Sequence, residues 1–103
     1  ELRFTKVGLN EGQAYTALID KELVIGRNPE KADLAFPGDE HLSSRHCKIT
    51  YINDKMYIED LNSTNRTYLN GIPINQVHVL EQDDIILIGS MELRINWRRL
   101  QPD

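Results

Sequence analysis

The chain has 103 residues, enough for one domain of ordinary size and too few for two. Its composition, 40% hydrophobic and 27% charged, is that of a globular domain, and at this length folding buries about 60–70% of the unfolded surface. The formal net charge of −4 excludes general affinity for nucleic acid, the single cysteine excludes an internal disulfide or a cysteine metal cluster, and no apolar run is long enough to span a bilayer.

In chain order, the sequence alternates in twos or runs in short β-rich stretches, and helical periodicity barely appears. The opening Glu1-Leu2-Arg3-Phe4 carries neither a methionine nor a signal pattern and reads as a piece of a longer protein. Residues 2–7 alternate apolar and polar and predict a strand, followed by Gly8 and an Asn10-Glu11-Gly12 turn. Residues 15–19 and 23–25 are predicted strands, joined by Asp20-Lys21 as a tight hairpin connection. Residues 46–52 and 56–59 form a further pair about Asn53-Asp54-Lys55. Short strands at 68–69, 72–74 and 77–79 are separated by Asn70-Gly71 and Asn75-Gln76, and 85–88 with 93–97 closes the chain as a hairpin about Gly89-Ser90. About ten or eleven short strands with frequent turn signals predict an all-β fold, a β-sandwich of two antiparallel sheets. The domain is expected over residues 1–97, with 98–103 as a tail or the start of a linker.

Three connections, 28–33, 36–44 and 62–67, are longer than a hairpin needs, and long loops on a rigid scaffold are where binding groups sit. They contain a guanidinium (Arg27, at the edge of the first), clustered hydroxyls (Ser43, Ser44, Thr64) and a carboxamide (Asn65). A phosphate monoester carries about −1.5 to −2 charge and three strong acceptor oxygens. The planar guanidinium fork answers it with charge, and hydroxyls and loop amides answer it without adding any. The chain lacks the glycine-rich lysine loop of nucleotide binders, so the phosphate expected is one attached to another chain.

Gly26-Arg27, Ser43-Ser44-Arg45-His46, Asp60-Leu61 through Ser63-Thr64-Asn65, and Asn70-Gly71, in this order, resemble the forkhead-associated (FHA) family. The run Asp83-Asp84-Ile85-Ile86-Leu87-Ile88-Gly89 is similar to that family's GD-I-LG stretch, with Asp83 where glycine is usual. The resemblance implies an FHA/SMAD-like sandwich and a phosphothreonine-peptide-binding adaptor that mediates phosphorylation-dependent protein–protein interaction in signalling. It implies that Arg27 and Ser43 hold the phosphate, that Thr64 donates its hydroxyl or amide to it, and that Ser44 stands where a longer side chain often reaches it. Asn65 would bond the peptide main chain, and His41 and Arg66 would flank the peptide. Gly26, His46, Asn70 and Gly71 would brace the loops, the glycines because a side chain would be in the way. The family usually has glycine where this chain has Arg66. The turn is expected to be wide enough for any residue, with Arg66 as a cation beside the groove; Arg66 set against Asp39-Glu40 gives an expected acidic or neutral preference third after the phosphothreonine. Asn62 makes this loop one residue longer than in many members.

The alternative function is a phosphate-independent interaction or scaffold domain on the same fold, as in some bacterial secretion proteins. An enzyme is not expected, because no nucleophile and base share a pocket. Cys47 follows His46 directly, and neighbours on a strand face opposite ways, so Cys47 reads as a core residue. Asp39-Glu40 reads as a solvated turn, and Trp97 as closing one edge of the core. No metal or cofactor is implied, no membrane insertion, and the lone thiol fits a cytoplasmic setting.

Overall fold

In a computed structural model, which describes residues 1–8 and 12–100, the chain forms eleven strands. They are β1 (Leu2–Lys6), β2 (Ala14–Ala17), β3 (Glu22–Gly26), β4 (Leu34–Ala35), β5 (Cys47–Ile52), β6 (Lys55–Asp60), β7 (Thr67–Leu69), β8 (Ile72–Pro73), β9 (His78–Leu80), β10 (Ile85–Ile88) and β11 (Met91–Trp97). One sheet runs β2-β1-β11-β10-β7-β8 and the other β4-β3-β5-β6-β9. No helix among the described residues is long and apolar enough to cross a membrane.

Period-two alternation places one side of β1, β5, β6, β10 and β11 in the layer between the sheets, whereas β3 is buried from Leu23 through Gly26. Leu2 and Phe4 of β1, Ile49 of β5, Ile58 of β6, Ile86 and Ile88 of β10, and Leu93 and Ile95 of β11 are all fully buried there. Cys47 is buried with them, and Trp97 packs on the edge of this cluster. Burial pushes the Cys47 thiol far up, with the Asp60 charge adding to the effect, so the sulfur stays protonated.

Two expectations change. The Asp20-Lys21 link is not a hairpin: β2 pairs with β1 while β3 pairs with β4 and β5, so the link carries the chain from one sheet to the other. Residues 34–35 form an extra strand, and it lies parallel to β3 (Ile25 opposite Leu34), so the second sheet is not wholly antiparallel. The short strand expected at 77–79 appears as β9, one residue further on, and pairs with β6 in the second sheet. Asn10 and Glu11, part of the first predicted turn, lie outside the described residues. The Asn53-Asp54 turn has φ of 51° and 64°, the pair of left-handed residues that a two-residue hairpin with native twist demands.

Strand direction positions the loops. β3, β4, β6 and β10 end, and β5, β7 and β11 begin, at one end of the sandwich, as Ile25 opposite Cys47, Cys47 opposite Asp60 and Ile88 opposite Thr67 require. The connections after Gly26, Ala35 and Asp60 therefore meet there, joined by the Gly89-Ser90 turn. At the other end Leu2 of β1 stands opposite Trp97 of β11.

Candidate functional site

The segment leading into β5 lies along the end of β3. Arg27 donates its amide to the Ser43 carbonyl (2.9 Å), and His46 donates its amide to the Ile25 carbonyl (2.8 Å). This approach is why residue 26 is glycine: a Cβ there would lie 2.1 Å from the Ser44 carbonyl oxygen. Two apolar anchors hold the preceding loop down. Leu42 is 2% exposed, and the Phe36 ring meets Tyr15 of β2 edge-on with centroids 4.8 Å apart.

His46 is fully buried and makes two bonds. Its Nδ1 accepts the Ser43 amide (3.1 Å) and its Nε2 lies 2.7 Å from the Arg66 carbonyl. An acceptor role for Nδ1 fixes the proton on Nε2, which donates to Arg66. One ring thus supports the second and third loops together. Asp60, at the end of β6, accepts from the amide and hydroxyl of Ser63 and from the buried Thr67 hydroxyl (2.7 Å).

On the outer side the loops touch directly. Thr64 donates its amide to Ser43 Oγ at 3.0 Å, and Asn65 Nδ2 donates to the His41 carbonyl at 2.8 Å. Arg27, Thr64, Asn65, Arg66 and His41 are exposed, whereas Ser43 and Ser44 are half-buried. Neither Arg27 nor Arg45 nor Arg66 has a carboxylate partner among the described residues, in a chain whose net charge is −4. The Arg27 backbone is tied to Ser43, so the same end of the sandwich carries a guanidinium with no ion partner among the described residues and a pair of loop hydroxyls, the donor types suited to an oxyanion.

Two expected bracing residues do other work. Asn70 sits at the far end of β7 from Thr67, and its carboxamide bonds Asp84 (3.0 Å) and the Ile85 amide (2.9 Å), so it ties the start of β10 and no binding loop. Gly71 has open space around its Cβ position; its φ of +86° is what calls for glycine. The turn at Arg66 is not neutral to residue type either. Arg66 has φ +67°, the conformation that the usual glycine adopts without strain, and Asp83 has φ +71° for the same reason.

Asp39 is not a freely solvated residue. Its carboxylate accepts the His41 amide (3.0 Å), the Ser90 amide (3.0 Å) and the Ser90 hydroxyl (2.9 Å). Burial opposes its ionisation, but the Ser90 and His41 bonds prevail and hold the carboxyl below its ordinary value. Asp39 and Asp60 are the supports that sequence reasoning left without a role. The Asp60-to-Ser63 and Asp39-to-His41 spacings are legible side-chain-to-backbone motifs. The bond from Asp39 to Ser90, across 51 residues, has no local signal.

The FHA domain family model matches residues 23–89. The chain belongs to the FHA domain family. Among relatives, the E3 ubiquitin-protein ligase CHFR of Danio rerio is 35% identical over 88 residues, covering 82% of this chain and 13% of that protein. The oxoglutarate dehydrogenase inhibitor of Corynebacterium jeikeium is 36% identical over 93 residues, covering 89% of this chain and 61% of that protein. The FHA chain thus spans less than two thirds of either relative. Among solved structures, one from a structural and functional analysis of phosphothreonine-dependent FHA domain interactions is 29% identical with a TM-score of 0.79, over 96% of this chain and 98% of that one. The FhaA FHA domain, crystallised with the intracellular domain of Rv3910, is also 29% identical, with a TM-score of 0.77 over 93% and 100%.

Proposed function

We propose that this FHA domain, over residues 1–97 with 98–103 as a tail or the start of a linker, binds phosphothreonine-containing segments of partner proteins and serves as an adaptor in cytoplasmic signalling. The observation that carries the reading is the Thr64–Ser43 bond, which joins two loops beside Arg27. Because Ser43 Oγ accepts the Thr64 amide, its own proton is left to donate outward. Arg27 supplies charge, Ser43 and Thr64 their hydroxyls, and Ser44 a shorter hydroxyl at the margin. Asn65 already gives one N–H to His41, which aims its carbonyl oxygen and second N–H at a peptide main chain. Binding, not bond cleavage, is the domain's work, and any activity of a longer parent protein belongs to other parts of it.

Calorimetry with a phosphothreonine peptide and its unphosphorylated twin tests this. Binding of the first and not the second is expected; equal affinity for both would leave the phosphate-independent scaffold as the better reading.

A further inference from the structure

The 62–66 loop has two working sides. Thr64 and Asn65 face the second loop through their bonds to Ser43 and His41. Behind it, between this loop and the link from β8 to β9, lies a cleft of about 400 Å³ whose lining includes Asn62, Arg66, Ile74, Asn75 and Gln76. None of Arg27, Ser43, Thr64 or Asn65 reaches into it. The loop's left-handed residues, Asn62 (φ 56°) and Arg66 (φ 67°), both open onto this cleft. Arg66 therefore does not simply flank the phosphate groove, as the sequence suggested.

The charges of the cleft are unevenly answered. Of its carboxylates, Asp60 is occupied by Ser63 and Thr67, and Glu59 lies 3.7 Å from the Lys48 ammonium. Arg66 has no ion partner among the described residues, and the carboxamides of Asn62, Asn75 and Gln76 are exposed without side-chain hydrogen bonds among them. Ile74, 4% exposed, gives the cleft an apolar floor. A second cavity, of about 460 Å³ at the opposite end of the sandwich, lacks this character: its Arg98 and Arg99 are paired with Glu1 and Asp54.

We propose that the cleft is a second subsite for the same phosphopeptide, taking an anionic side chain, carboxylate or phosphate, against Arg66 while the carboxamides hold the peptide main chain. This rests on the phosphopeptide reading above. His46 couples the two subsites, since one buried ring holds the Ser43 amide on one side and the Arg66 carbonyl on the other. The separation of the two anions on the peptide is therefore fixed by the domain. One ring's width plus the reach of an arginine corresponds to about two to five residues of extended chain.

The test uses the whole chain and a phosphothreonine peptide of otherwise neutral sequence, with a single glutamate, or in a second series a single phosphoserine, moved through five positions on each side. Calorimetry is run on the native chain and on Arg66→Gln, which keeps the backbone strain but removes the charge. One position is expected to gain about two- to fivefold from glutamate, as for an exposed ion pair, with the gain lost in Arg66→Gln and reduced in high salt. A gain from phosphoserine alone assigns the subsite to a second phosphate, and a gain from both assigns it to anions generally. Tight binding of the parent peptide with no Arg66-dependent position in either series overturns the second subsite and leaves the phosphothreonine site standing. Failure of the parent peptide to bind removes both.

Discussion

Thr64 and Ser43 stand 21 residues apart in sequence, and the Thr64 amide donates to Ser43 Oγ at 3.0 Å. The bond orients a hydroxyl and closes the second loop on the third before any ligand arrives. Ser43→Ala removes both effects. It should weaken phosphopeptide binding by about tenfold or more, as for loss of a hydrogen bond to a charged group. The melting temperature should change little, because the exposed Thr64 amide can turn to water. Calorimetry beside a thermal scan separates the two, and a large fall in stability would show that the bond is chiefly structural.

Arg27 is exposed and has no ion partner among the described residues, so its loss should leave the fold intact. Truncating one partner of a close charge pair costs about 2–5 kcal/mol of binding. Arg27→Ala should lower phosphopeptide affinity at least tenfold with an unchanged circular dichroism spectrum; unchanged affinity would remove Arg27 from the site.

His46→Ala should damage stability and binding together. It strips partners from the Ser43 amide and the Arg66 carbonyl, at about 1–3 kcal/mol for each group left buried and unsatisfied. For a domain of this size each kcal/mol lowers the melting temperature by about 4–8 °C. Binding lost at a constant melting temperature would instead mean that the ring touches the ligand.

Asp83→Gly should stabilise the domain. A left-handed non-glycine residue costs about 1–2 kcal/mol, and glycine's greater unfolded freedom returns about half of that. The net gain, on the order of 0.5–1 kcal/mol, should raise the melting temperature by a few degrees and leave peptide binding alone. Arg66→Gly should stabilise similarly, because its φ is 67° against 71° for Asp83. Unchanged melting in both would mean that the two turns relax.

Asp39→Asn should destabilise the second loop at neutral pH. Because the folded Asp39 carboxyl sits below its ordinary value, its contribution is present above the unfolded pKa and disappears as pH falls through the folded one. The stability difference between the native chain and the variant should therefore close below about pH 4. A difference that persists at pH 2 would trace the effect to packing.

The strands, the Asn53-Asp54 turn and the closing hairpin about Gly89 were legible because each rests on alternation or turn chemistry within a few residues. The residues that gather at the loops were legible through their motif spacing, which survives without knowledge of the pairing. Strand partners were not. Whether the chain after Ile19 folds back on β2 or crosses to the other sheet depends on β5 and β4, far along the sequence. Asn70 shows the same limit: its motif was visible, but its bonds run to Asp84 and Ile85, which only the β7–β10 pairing brings near. The Asp39–Ser90 contact is invisible for the same reason.

Leu2 and Trp97 face each other across one strand spacing, at the end of the sandwich away from the loops. The first and last strands thus enter and leave side by side, about 5 Å apart. A domain wired in this way can be spliced into a surface turn of a host protein, or hung from either end, without its reading head being turned inward. Its orientation in any longer polypeptide is set by a single shared doorway, so a fluorescent label or a fused partner placed at either end should report from the same side and leave the opposite face open to bind.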